Sequence, residues 1–287
     1  MSTAEVDVIL VHRDQPERCV LAARAFQAQV GVRTRLTVVD NGSPAPARER
    51  LAAALPGVAM VALGRNAGFG PGANAGLRAW LTDGAGDWAV VAPHDALPEP
   101  DCLRRLLAAV AERPRAGLVS AEYGEANRPV IDAYLGGMLV PMPRRDGWVA
   151  TEHPHGTLLA CARACLEDIG LFDERYFAYV EEADLGLRAA ARGWEVGMVV
   201  GALVVNPVTS SPPAVVDYLQ LRNTLLLIRD HFGRYPATMR GLIAVVSVVH
   251  QSLRPSARAP WFSPRARLRA VADFARGRFG PPPAALG

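Results

Sequence analysis

Four places in the chain gather residues whose chemistry goes beyond packing. Glu181 and Glu182 are adjacent carboxylates. A carboxylate partly shielded beside another has a raised pKa, which suits a base near neutrality. The same pair fits the first turn of a helix, where the dipole favours acids. Asp40 closes an apolar run and is followed by Asn41-Gly42-Ser43. A carboxylate there can accept hydrogen bonds from a ligand's N–H or O–H groups, and it can equally cap a turn. Residues 65–76 are rich in glycine. Glycines let a backbone approach a ligand closely, and a helix N-terminus behind them favours a diphosphate. Turns also collect Gly and Pro. The fourth place is Pro93-His94-Asp95, at the end of another apolar run.

The elements that carry these residues follow from hydrophobic pattern. Residues 6–11 form a nearly continuous apolar run, as in a strand covered on both faces. Asp14, Gln15 and Pro16 open a helix to about residue 30, with Pro near its first turn. Strands are predicted at 36–39, 58–63, 88–92 and 117–121, and helices ending near 55 and 81 and spanning 103–112. This short alternation predicts a parallel doubly wound sheet, with ligands outside the carboxyl ends of its strands. Asp40, the glycine-rich stretch and Asp95 all fall at such ends. Residues 122–155 are irregular and rich in Pro, Gly and Arg, and read as strands and loops. A strand at 156–161, a short helix at 165–169 and a turn at 170–173 lead into 176–180. Glu181 then opens a helix to about residue 192, and 196–205 is a last strand region. From residue 217 the pattern is helical with two breaks, and no internal repeat is present.

Composition bounds the class. The chain has 287 residues, half of them apolar, enough for one large domain with an appended tail. All 31 basic residues are Arg, which suits a GC-rich coding sequence and also phosphate contacts. Cys19, Cys102, Cys161 and Cys165 form no CxxC pair, so reduced and mostly buried thiols are expected in a cytoplasmic protein. The first residues carry an acid and no long apolar run, unlike a signal peptide. No stretch reaches the roughly 18 to 20 apolar residues of a membrane span.

Five motifs, in order, resemble one family. They are VDVILVHRD, VVDNGSP, RNAGFGPGANAG, the strand end with Asp95, and GLFDERYFAYVEEADLGLRAAARGW. The chain is similar over about residues 6–235 to the inverting glycosyltransferases of family 2, especially the bacterial rhamnosyltransferase-like branch. The resemblance implies an α/β architecture of GT-A type: a Rossmann-like, mostly parallel, doubly wound sheet with a helical C-terminal tail. It implies a catalytic domain over 1–215, with a nucleotide-sugar half at 1–121 and an acceptor half at 122–215, and an Arg-rich extension over 216–287. The donor is a nucleoside diphosphate sugar, dTDP-rhamnose-like in this branch, and the acceptor a hydroxyl on a glycan, lipid-linked or secondary-metabolite substrate.

The resemblance also assigns roles. His12 and Asp14 stand where relatives contact the nucleoside, although His12-Arg13-Asp14 replaces their usual Thr-Tyr-Asn type of sequence. Asp40 matches the acid that holds the base or ribose. Asn66, Gly68, Gly70 and Asn74 match the donor loop, with Arg65 beside the nucleotide or a phosphate. Asp95 matches the last acid of a DxD-type motif that binds divalent Mg or Mn. The first position of that motif is Pro93 and a later His is replaced by Asn206, leaving Asp95 with His94 and Asn206 as further metal candidates. Without a metal, Arg65 and Arg222 would neutralise the diphosphate. Glu182 matches the catalytic base and Glu181 its partner, while Asp184 caps or orients the helix. The stretch from Tyr218 to Asn223, with Arg222, either closes over the donor or is an amphipathic helix with solvated Arg.

The tail carries ten Arg from 229 to 278 against Asp230 and Asp273, around a short apolar run at 242–249. Peripheral contact with anionic lipid and a packing or homodimer helix both fit. Nucleic-acid binding does not, because aromatic interleaving and a binding motif are missing. The altered Pro93 and Asn206 also leave open a non-catalytic nucleotide-sugar-binding partner that retains the fold.

Overall fold

A computed structural model describes residues 4–143, 146–206, 211–254, 256, 258 and 260–286. Its first half alternates strand and helix: β1 (Ala4–His12), α1 (Pro16–Gln27), β2 (Val32–Asp40), α2 (Ala45–Ala54), β3 (Ala59–Ala62), α3 (Phe69–Asp83), β4 (Trp88–Pro93), β5 (Leu97–Pro98), α4 (Cys102–Ala111) and β6 (Ala116–Glu122). A hairpin of β7 (Asn127–Asp132) and β8 (Gly136–Pro141) stands apart from the main sheet. Then follow β9 (Gly147–Ala150), β10 (Leu159–Ala162), α5 (Arg163–Ile169), α6 (Glu181–Ala191) and β11 (Glu195–Val205). Three helices complete the described chain: α7 (Pro213–Phe232), α8 (Arg234–Leu253) and α9 (Pro264–Ala275).

The main sheet runs β3-β2-β1-β4-β10-β6-β11-β5, with β9 also on β11. β1 pairs in parallel with β2 and β4, β2 with β3, and β6 with β11. β10 is antiparallel to both β4 and β6, so those two point the same way. The sheet is therefore mostly parallel, with β10, β5 and β9 reversed. This is the mostly parallel sheet that the resemblance implies, with the reversed β10 inserted between β4 and β6. A four-residue run such as Leu159–Ala162 carries no signal of direction, which only its neighbours set.

Both faces are covered, as the apolar run of β1 requires. Val6, Val8 and Leu10 pack with Cys19, Phe26, Leu51 and Leu106 on one side. Ile9 and Val11 pack with Leu77, Trp80, Leu166 and Leu185 on the other. The two-residue period of the strand thus serves two helical layers. All four cysteines are free and buried.

The segment before α6 is unlike the rest. Phe177, Tyr179 and Val180 hold φ of 67°, 67° and 76°, a region that costs a β-branched residue most. α7 lies beneath this segment and is buried on nearly every side, including Arg222 and Asn223. Arg222 is therefore not a solvated residue of an amphipathic helix.

Candidate active site

A cleft of about 980 Å³ opens beyond the carboxyl ends of β1 and β4. Arg13, Pro93, His94 and Asp95 form one wall, and Asn66 and Phe69 a second. Opposite stand Phe177 to Tyr179 with Glu181 and Glu182. Asn206, the α7 residues Val215, Leu219 and Gln220, and residues 281–284 complete the rim. The helical tail is thus part of the cleft wall.

Glu181 and Glu182 begin α6, where the helix dipole favours them. Burial pushes both carboxyls above the ordinary glutamate range, and Glu182 pushes Glu181 further. Oε2 of Glu181 is buried without a hydrogen-bond partner. Asp184 turns away from the cleft. It accepts hydrogen bonds from Arg188 at 2.8 Å and from His231 at 2.8 Å, tying α6 to α7.

The strained segment is held from below by two neighbouring side chains of α7, Asn223 and Arg222. The Asn223 amide nitrogen donates to the carbonyls of Tyr176, Ala178 and Tyr179, each at 2.8 Å. Its oxygen accepts from Arg222 Nε at 3.1 Å and Nη2 at 2.9 Å. Arg222 also reaches the Tyr176 carbonyl and the Tyr218 hydroxyl, which donates in turn to Asp273. The pair fixes the backbone that presents Glu181 and Glu182, and Arg222 does not reach the cleft.

At the carboxyl ends of β1 and β2, His12 and Asp40 are register partners, both fully buried and neither among the residues lining the cleft. The backbone N–H of Gln15 donates to His12 Nε2 at 3.2 Å. That bond assigns the proton to Nδ1, which donates to Asp40 Oδ1 at 3.3 Å. Burial holds the imidazole pKa below its ordinary value, consistent with a neutral ring. Asp40 Oδ2 has no hydrogen-bond partner and lies 4.0 Å from Arg48 Nη1. Asp14 is exposed, 3.4 Å from Arg13, and Arg13 rather than Asp14 lines the cleft.

The glycine-rich stretch divides in two. Asn66 lines the cleft and accepts the Gly68 N–H at 3.1 Å. Asn41 clamps the turn, donating to the Gly68 carbonyl at 2.9 Å and accepting from Ala67 N–H at 2.8 Å. Gly70 and Asn74 lie within α3. Gly70 faces Phe172 and Glu181. The Asn74 amide bonds Phe172 N–H, the Phe172 carbonyl and Glu174, so its hydrogen-bonding capacity is spent inside the protein. Arg65 is exposed and is not among the residues lining the cleft.

Gly68 carries a testable demand. Its φ is 101°, and an added Cβ would overlap the Phe177 carbonyl oxygen. Gly68→Ala is expected to lower unfolding free energy by about 3 kcal/mol or more, from backbone strain plus overpacking. Urea unfolding within about 1 kcal/mol of wild type would show that this contact yields freely.

Among the described residues, no three or more His, Cys, Asp or Glu converge on a point. Asp95 and His94 lie side by side at the cleft, with Asn206 on the rim. Asp95 Oδ2 is 3.9 Å from Arg18 Nη1. His94 hydrogen-bonds the Val11 carbonyl through Nδ1 at 3.3 Å, leaving a buried Nε2 without a partner.

Comparison with known proteins decides the family. The model for glycosyltransferase like family 2 matches residues 4–225. The chain belongs to this family. The glycosyltransferase is similar to the N-acetylglucosaminyl-diphospho-decaprenol L-rhamnosyltransferase of Mycobacterium tuberculosis, at 29% identity over 267 residues. That match covers 77% of this chain and 85% of the relative. It is also similar to the succinoglycan biosynthesis protein ExoO of Rhizobium meliloti, at 35% identity over 105 residues, 36% of this chain and 29% of that one. Two solved structures share its GT-A fold. The mannosyltransferase PcManGT from Pyrobaculum calidifontis, in complex with GDP-Man and Mn2+, has a TM-score of 0.60 at 17% identity, covering 95% of this chain and 86% of that one. GalNAc-T7 with UDP, GalNAc and Mn2+ has a TM-score of 0.62 at 13% identity, covering 96% and 56%. Among the described residues, no helix of this glycosyltransferase is long and apolar enough to cross a membrane.

The sequence reading missed several residues that shape this site. Asn41 sat inside a turn signal, and nothing in the sequence marked it as a clamp. Arg18 and Arg48 carry nothing that sets them apart among 31 arginines. His155 lines the cleft and stacks on Tyr123 at 3.8 Å between centroids. Burial pushes its pKa down to about 4, so it stands neutral.

Proposed function

We propose that this glycosyltransferase moves a sugar, with inversion, from a nucleoside diphosphate sugar to an acceptor hydroxyl, and that Glu182 is the base. The observation that supports it is one cleft lined by Glu182, Asp95 and Asn66 at the sheet's carboxyl ends. The acceptor oxygen attacks the anomeric carbon as the bond to the diphosphate oxygen breaks. Glu182 takes the acceptor's proton, and the nucleoside diphosphate leaves. Arg13, which lines the cleft, meets the diphosphate, while Asp40, fully buried and not among the cleft-lining residues, orients His12 through its hydrogen bond. Gly68 and Asn66 shape the turn that the donor lies against. The rhamnosyltransferase relative favours a dTDP-rhamnose-like donor and a lipid-linked glycan acceptor.

The residues present fit a divalent ion only if the diphosphate supplies most of its oxygens. Asp95 would hold Mg or Mn, with the Asn206 amide and His94 Nε2 beside it. Such an ion neutralises charge on the leaving diphosphate.

Thermal-shift titration tests the donor reading. A nucleoside diphosphate should raise Tm, and Mn should deepen the rise in wild type but not in Asp95→Asn. No shift with any nucleoside diphosphate or its sugar, with or without Mn, would sink the reading. The pH profile tests the base. A protonated Glu182 cannot accept a proton, so kcat/KM should fall as pH drops through its raised pKa. The limb therefore lies above the ordinary carboxylate range, and an apparent pKa at or below 4.5 would contradict it.

A further inference from the structure

α8 presents a face that the rest of the described chain leaves uncovered. Tyr235, Leu242, Val246, Val249 and Leu253 fall at helical spacing on one side. Each of the five is between 55% and 77% exposed. The opposite side, at Ala237, Ala244 and Val248, is buried where α8 packs on α7 and α9. Single exposed apolar residues are ordinary, but this stripe runs about 27 Å along one helix.

The charge around the stripe has one sign. From His231 to Ala272 there are seven Arg and no Asp or Glu. Arg267 and Arg269 are held by Asp217 and Asp273. Arg234 and Arg254 bracket the helix, and with Arg265 they are exposed and form no ion pair among the described residues. A second copy of the chain would set this cationic rim against its own like. An anionic bilayer matches both parts at once, with hydrocarbon for the stripe and phosphates for the guanidiniums.

We propose that α8 seats the protein on the surface of an anionic phospholipid bilayer, with the stripe in the boundary between headgroups and acyl chains. The helix lies in the plane of the surface, since it is not apolar enough to cross. α7 packs against α8 and lines the cleft through Val215, Leu219 and Gln220. Docking therefore holds the cleft near lipid. The proposal stands apart from the transfer chemistry, and its readout is binding.

The test is co-sedimentation of the full chain with vesicles of phosphatidylcholine alone or with phosphatidylglycerol. Binding is expected only with the anionic lipid, and it should weaken as salt rises. Leu242→Ser/Val246→Ser/Leu253→Ser should reduce it by about tenfold or more, with the thermal unfolding midpoint unchanged. Arg234→Glu/Arg254→Glu, which leaves the stripe intact, should also reduce it. Absence of vesicle binding, or equal binding by all variants, overturns the proposal. So does a dimer in light scattering that the triple variant dissociates while vesicle binding stays absent.

Discussion

Glu182→Gln should lose about 100- to 10,000-fold in kcat while it still binds the nucleoside diphosphate. The amide keeps the shape of the side chain and cannot take a proton. Its carboxylate sits at the start of α6, inside the cleft and partly shielded, and burial raises its pKa. These are the conditions in which a carboxylate works as a base near neutrality. The proposed donor contacts at Arg13, Asn66 and Asp95 lie on other walls of the cleft, so the nucleotide-induced rise in Tm should survive. A variant that kept wild-type turnover would remove Glu182 from the chemistry. A variant that lost nucleotide binding as well would point to a structural role.

The second large effect is expected far from the reacting atoms. Asn223→Leu should cost about 3 to 5 kcal/mol in unfolding free energy. It removes the donor shared by three backbone carbonyls and the acceptor of the buried Arg222 guanidinium. Arg222 still reaches the Tyr176 carbonyl, but among the described residues nothing else on α7 donates to the Ala178 and Tyr179 carbonyls. The freed segment contains Phe177, Tyr179 and Val180, whose left-handed backbone needs outside support. Because Glu181 and Glu182 follow it directly, kcat should fall more than donor affinity. Urea unfolding with a loss under about 1 kcal/mol would show that the segment holds itself.

The same segment shows where sequence reasoning stopped. The strand pattern is legible because β1 is covered on both faces and β2 ends in the buried Val38 and Val39, so Asp40 and Asp95 stand out as polar residues closing apolar runs. Glu181-Glu182 was legible as a helix start. Asn74 and Arg222 are of the right type and close to the right motifs, yet their hydrogen bonds are spent inside the protein, on backbone and on the side chains of Glu174, Asn223 and Tyr218. A polar side chain beside a glycine-rich turn can bind phosphate or fold the turn, and only long-range packing decides. The partners of Asn74 lie about a hundred residues away, at Phe172 and Glu174. The run of positive φ at ordinary residues has no local signature, since it exists only because α7 lies beneath. β5, two residues long, is shorter than any periodicity can reveal.

The cleft rim drawn from residues 281–284 has a practical consequence for handling the enzyme. β1 runs away from Ala4 and reaches the cleft only at His12, some 27 Å further on for an extended strand of about this length. An affinity tag or reporter fused ahead of residue 4 therefore hangs from the far edge of the sheet. The same fusion joined beyond residue 286 emerges close to the rim of the cleft.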